Sequence, residues 1–261
     1  MSIEPSADFV QSLARGLAVI RAFDADNAEL SLSDVARRAE LPRAAARRFL
    51  RTLETLGYVR PSAGAGATVR FSLTPKVLEL GFSYLSALSL PEVVQPHLER
   101  LSREVDESVS AAVLDGGDIV YIARVPTRRI MSVRITIGTR FPAYATSMGR
   151  VLLAALPEAA RAQALADSAL EHLTGRTMTD PAALAAELER VRAQGWSLVD
   201  GELEPGLRSV AVPVHGRDGA VVAAVNVSTS ATRDTVEHLT DGHLPKLRAA
   251  ASAIDGELRL V

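Results

Sequence analysis

Leu41-Pro42-Arg43-Ala44-Ala45-Ala46-Arg47-Arg48-Phe49-Leu50-Arg51-Thr52-Leu53-Glu54-Thr55-Leu56-Gly57 is the stretch on which the reading of this chain turns. Ala46, Phe49, Leu50, Leu53 and Leu56 recur at helical spacing and predict one apolar core stripe. At about 100° per residue, Ala44, Arg47, Arg48, Arg51 and Thr55 fall on the opposite side, with Arg43 at the N-terminal end. Pro42 suits the first turn of a helix and Gly57 its C-cap. An ordinary surface helix interleaves Glu with Arg in i,i+4 pairs. Here the first acid is Glu54, after three turns of arginine.

Working outward, Phe9 to Asp24 carries Phe9, Val10, Leu13, Leu17, Ile20 and Phe23, which predicts a helix with one buried stripe. Ser33 is a plausible N-cap for a short helix over 34–39. After Gly57, Tyr58-Val59-Arg60 and Val69-Arg70-Phe71-Ser72-Leu73 read as two strands joined by a Gly- and Ala-rich tip, with Val69, Phe71 and Leu73 inward and Arg70 outward. Helix, helix, turn, helix, hairpin is the order of a winged helix-turn-helix. The residues from Arg37 to Arg70 include eight arginines against Glu40 and Glu54, a local charge of +6 in a chain of net charge −2. Charge alone leaves two readings open, a polyanion site and a solvated arginine face. The wing and the missing carboxylates favour DNA. Arg43, Ala44, Arg47, Arg48 and Arg51 then form the recognition face, small Ala44 letting the helix sit deep in a major groove. Arg37 and Arg38 on the preceding helix, and Arg70 on the wing, are suited to phosphates. Which arginine reads a base stays open.

Totals narrow the field. With 48% hydrophobic and 23% charged residues the chain has ordinary globular composition. Zero cysteines exclude disulfides and thiolate-held metals. The N-terminus lacks the basic and apolar regions of a signal peptide, and no apolar run approaches the ~18–20 residues of a membrane span. A soluble, cytoplasmic protein without a cofactor is expected.

A helix over 75–88 is expected to link residues 1–74 to a second domain, 91–261, after an interruption at Ser89-Leu90-Pro91. There the pattern predicts a helix over 91–105, a hairpin of 108–114 and 119–125, a strand near 131–137, a loop over 138–145, helices near 146–156, 157–166 and 181–194, strands 207–214 and 220–228, and a final helix from about 235 to 260. Strands joined mainly by hairpins with helices packed on them give an α+β class. Nothing suggests catalysis. Thr146-Ser147-Met148-Gly149 is not a nucleophile elbow, Gly201 to Gly206 is not a phosphate loop, and the five histidines are scattered. His238 and His243, five apart, do not share an α-helical face, so no metal site is expected. On the strands, Asn226 and Ser228 share a face with Val222 and Ala224, and Ser209, Ala211 and Pro213 form a small-residue face. Two arrangements satisfy that pattern: a ligand in the space, or a helix filling it.

The segments Leu32 to Pro42, Phe49 to Val59, Tyr144 to Ala154 and Glu202 to Val214 together resemble the IclR (isocitrate lyase regulator) family over nearly the whole chain. Arg43 to Leu50 and Arg124 to Val133 are similar to its branch governing protocatechuate and β-ketoadipate catabolism. The resemblance implies a DNA-binding transcriptional regulator with a C-terminal effector-binding domain built on a mainly antiparallel, GAF/PAS-like sheet. It also implies a homodimer or tetramer whose contacts involve the first and linker helices. The effector positions it implies are Ser147, Met148, Ser209, Asn226 and Ser228, and an acidic effector such as protocatechuate, 4-hydroxybenzoate or β-ketoadipate would call for Arg124, Arg134 or Arg150. The rival reading is an effector-independent DNA binder whose C-terminal domain only oligomerises. Two departures stand out: Glu40 where many members carry glycine, and Ala44 and Ala45 in place of hydroxyl residues.

Overall fold

A computed structural model describes residues 9–260 except 25, 64–68, 81–89 and 128–134. The chain divides into two compact units, Met1–Ala87 and Leu88–Val261.

The first unit contains α1 (Gln11–Arg21), β1 (Leu30–Ser31), α2 (Leu32–Arg38), α3 (Arg43–Thr55), β2 (Val59–Ala63) and β3 (Val69–Leu73). The wing is a three-stranded antiparallel sheet in the order β1-β3-β2, with Leu30 opposite Phe71. Val19, Ala22, Phe23, Val35, Ala36, Ala46, Leu50, Leu53 and Val59 form the core. Several expectations need correction. Leu56 is 51% exposed, as the C-cap beyond the last turn of α3, and Val69 is 52% exposed on the wing. The α1 stripe splits: Val19, Ala22 and Phe23 are buried, whereas Phe9, Val10, Leu13 and Leu17 project beyond the three-helix core. The cap of α2 is Ser31 rather than Ser33, its hydroxyl accepting from the Asp34 N–H at 3.2 Å and donating to the Asp34 carboxylate at 2.7 Å.

Helices α2 and α3 end by the same device. The residue past each C-cap turns left-handed, Glu40 at φ 54° and Gly57 at φ 82°. In each, the following N–H reaches back five residues, Leu41 to Ala36 and Tyr58 to Leu53, both at 2.8 Å. This is the Schellman closure, normally supplied by glycine; Glu40 makes it at a backbone cost of about 1–2 kcal/mol.

A 3-10 turn, Pro75–Val77, leads into helical residues 78–80. The rest of the expected linker helix lies outside the described residues, as does most of the strand expected near 131–137. Residues 135–137 belong to no strand, and the local strand is β6 (Arg140–Pro142), inside the expected loop.

The second unit contains α4 (Leu90–Val105), β4 (Ser108–Asp115), β5 (Asp118–Val125), β6, α5 (Ser147–Ala155), α6 (Glu158–Ala166), α7 (Pro181–Gln194), β7 (Ser197–Asp200), β8 (Leu207–His215), β9 (Val221–Ser230) and α8 (Leu244–Leu258). Its sheet runs β6-β5-β4-β9-β8-β7 and every pairing is antiparallel. Helices α4 and α8 pack against one another and against the strands, and α5 packs against β4, β8 and β9. Met148, Val151 and Leu152 of α5 share a buried cluster with Ala112, Ala211 and Ala224, so the small-residue face does receive a helix. A residue shift between Ala111 and Ala112 puts Tyr121 opposite Ala112, although Arg124 lies opposite Ser110. The bulge therefore brings Tyr121 and Arg124 to one face despite their odd separation.

The expected single C-terminal helix is broken. Val236–His238 is a short helical turn, Leu239–His243 a π-helix, and only then does α8 begin. A π turn closes i→i+5, so residues five apart stack on one side. The His238 and His243 rings lie 4.6 Å apart, which overturns the expectation that their spacing separates them.

Candidate DNA-recognition face and effector cavity

On α3 the arginine face emerges from amphipathicity. Burial of Ala46, Leu50 and Leu53 turns Arg43, Ala44, Arg47, Arg48 and Arg51 outward, and all five are exposed. Among the described residues, none of these four guanidiniums has an ion pair or hydrogen bond. The flanking cations differ. Arg37 pairs with Asp34 at 3.1 Å, and Arg38 pairs with Asp24 while donating to the Ala22 carbonyl at 2.7 Å. Arg70 donates to the Glu29 carbonyl at 3.2 Å. The fold thus spends the flanking arginines on holding α2 and the wing in place, and leaves the α3 face uncompensated. A helix N-terminus flanked by such a face can grip phosphates and reach guanine edges.

In the second unit, Ser147 and Met148 open α5. The Thr146 hydroxyl caps it, accepting from the Gly149 N–H at 3.1 Å. Gly149 lies so close to the preceding 3-10 turn, Ala143–Ala145, that a Cβ there would meet the Ala143 carbonyl oxygen at 2.2 Å. Only glycine permits that approach. Ser147 and Ser209 share a hydrogen bond between their hydroxyls at 2.8 Å, tying α5 to β8. Ser209 lies opposite Ser228, and Asn226 donates to the Ser228 hydroxyl at 2.9 Å. The Asn226 Oδ1 is buried and lacks a partner among the described residues.

These five expected residues converge on one cavity, with Tyr121, Ile135, Val199, Leu203 and Leu207 completing its wall. It encloses about 400 Å³ out to its mouth, of which about 20 Å³ admits the centre of a water molecule. The site is mostly apolar with a few polar anchors, the usual form of a small-molecule site, and it is closed tight. Tyr121 shows why alternation alone missed it: the bulge, invisible in the sequence, brings it round. Burial pushes its hydroxyl up to about 12, with Arg124 pulling the other way.

Arg124 does not line the cavity wall, but it sits on the same face in the row Ala211–Asn226–Ser110–Arg124. Its guanidinium donates to the Ser110 hydroxyl at 3.0 Å and has no carboxylate partner among the described residues. Burial draws its pKa below the ordinary guanidinium value, opposed by Tyr121. Arg150 belongs to the fold instead. It is 2% exposed, donates to the Tyr144 carbonyl at 2.9 Å and pairs with Glu202 at 2.6 Å. Arg134 lies outside the described residues.

Residues 12–63 match the IclR helix-turn-helix domain, and residues 82–256 match the bacterial transcriptional regulator IclR C-terminal domain. The chain belongs to the IclR family. It is 48% identical over 245 residues to the Pca regulon regulatory protein of Pseudomonas putida, covering 94% of this chain and 82% of that one. It is 36% identical over 252 residues to the p-hydroxybenzoate hydroxylase transcriptional activator of Acinetobacter baylyi, covering 95% and 91%. Among solved structures it superposes on an IclR homolog from Microbacterium hydrocarbonoxydans, complexed with 4-hydroxybenzoate, with a TM-score of 0.84 at 28% identity, covering 96% and 100%. This IclR-family chain is a DNA-binding transcriptional regulator rather than an enzyme, and no helix among its described residues is long and apolar enough to cross a membrane.

Proposed function

We propose that this regulator binds its promoter through Arg43, Ala44, Arg47, Arg48 and Arg51. Arg37, Arg38 and Arg70 lie beside the phosphates, and a small aromatic acid bound in the C-terminal unit controls the affinity. The observation that carries the second half is Arg124, a half-buried guanidinium held by a single serine hydroxyl, on the face that Asn226 and Tyr121 share. Adjacent strands stand about 4.8 Å apart. A carboxylate beside Asn226 is therefore within reach of a guanidinium already at Ser110. Ser147, Met148, Ser209 and Ser228 then enclose the ring, and the serine hydroxyls meet its para hydroxyl at the end away from the carboxylate. 4-Hydroxybenzoate, the ligand of the similar Microbacterium protein, and protocatechuate carry the ring this reading needs and are the acids to try first, with acyclic β-ketoadipate testing whether carboxylates alone suffice.

The chain works as a homodimer or tetramer in this reading. Phe9 and Val10, just before α1, and Leu13 and Leu17 on it are exposed, and large apolar side chains exposed together mark a contact surface. Two copies would read paired half-sites.

Tightness of the cavity favours one alternative, a C-terminal unit that only oligomerises. Thermal-shift titrations with the three acids separate the two readings, since a ligand bound to the folded state raises Tm with its concentration. A rise with at least one acid, lost in Arg124→Gln, is the expected result. A flat response to all three establishes the alternative.

A further inference from the structure

Asp234, His238 and His243, remote in role from both sites above, offer one ligand atom each within 4.8 Å of one another. The Asp234 carboxylate faces both rings, one oxygen toward His238 Nδ1 and the other 3.1 Å from His243 Nε2. Asp234 is held in place by its own carbonyl, which accepts from Arg208 at 2.7 Å. Three features make this a constructed cluster rather than a chance ion pair. The π turn that brings the histidines together is a rare geometry, found frequently at functional positions. Gly242 leaves room for the His238 ring, since a Cβ there would meet His238 Cδ2 at 2.7 Å. The His243 ring is buried, and with no partner for its Nδ1 among the described residues its polar contact is through Nε2, on the carboxylate side.

We infer that these three residues bind a divalent transition-metal ion of the zinc type. Two imidazoles and a carboxylate form a nitrogen-rich set that suits zinc, cobalt or nickel over magnesium and calcium. Ligand atoms around a tetrahedral zinc stand about 3.3 Å apart, given zinc–nitrogen bonds of about 2.0–2.1 Å. The cluster reaches that spacing by a modest swing of His238, whose side chain is 56% exposed. The ion replaces the direct contacts between Asp234 and the rings, and pins the end of β9 to the π turn. His238 faces solvent, so the fourth position opens outward to water.

The test uses untagged full-length protein, stripped with a chelator and titrated with cobalt(II) and then zinc(II). The expected result is one cobalt per chain with the visible absorption of a four-coordinate site, displaced by zinc. Saturating zinc should raise Tm by roughly 5 °C. His238→Ala removes an exposed side chain, so it keeps the fold by circular dichroism while losing at least ~10-fold in affinity. Gly242→Ala, which crowds the His238 ring, weakens binding as well. Absence of saturable binding, or binding that His238→Ala leaves intact, overturns the site and reduces the cluster to a hydrogen-bonded triad.

Discussion

Arg47 and Arg150 are the same residue type on amphipathic helices, and they meet opposite fates. Arg150 is fully enclosed on α5 with Glu202 as its counter-charge and the Tyr144 carbonyl as a second acceptor. Arg47, with Arg43, Arg48 and Arg51, stands exposed on α3 without a protein partner among the described residues. A cation that carries its own carboxylate holds structure, because desolvating it without that partner is prohibitive. A cation left without one is available to an anion from outside. Arg124 stands between these cases, half-buried and bonded, among the described residues, only to Ser110.

The largest effect expected from this contrast is on Arg150. Arg150→Met should cost about 3–5 kcal/mol of stability by leaving Glu202 buried and uncompensated. Urea denaturation checks it, and adding Glu202→Gln should restore part of the loss. A stable single variant with impaired DNA binding would dissolve the distinction. Arg47→Ala should leave the unfolding curve in place, cost about 1–3 kcal/mol in operator binding and lower the salt slope by about 1. Fluorescence anisotropy across a salt series reads both quantities, with effector binding as the unchanged control. Arg37→Ala sharpens the point. Its guanidinium is already shared with Asp34, so an operator loss below ~1 kcal/mol is expected. An equal loss for Arg37 and Arg47 would show that internal pairing does not sort these residues. Smallest is Glu40→Gly, which relieves the left-handed strain and should raise stability by about 1 kcal/mol with DNA affinity unchanged.

Periodicity carried most of the fold. Ala46, Leu50 and Leu53 lie on a continuous helical stripe, and Asn226, Ser228 and Ser209 on stretches of β8 and β9 clear of the register shift at Val214 and His215, so their faces were legible in the sequence. The misses share a physical cause: each depends on a departure from a regular period or on a partner distant in sequence. Tyr121 reaches the cavity through a bulge, and His238 meets His243 through a π turn. β7 is an edge strand of four residues, too short to show alternation, yet it supplies Val199 to the cavity wall. Arg150 finds Glu202 across 52 residues of chain, which no local pattern announces. Leu13 and Leu17 were legible as apolar and helical, but what covers an apolar face is not written within the helix itself.

The glycine at 149 has a mechanical consequence. Because α5 is pressed against the Ala143–Ala145 turn with no side chain between them, the two form one rigid lever. A guest that parts Ser147 from Ser209 cannot nudge the serine in isolation. Under the proposed function it would have to move helix and turn together, the helix toward Ala155 and the turn toward β6.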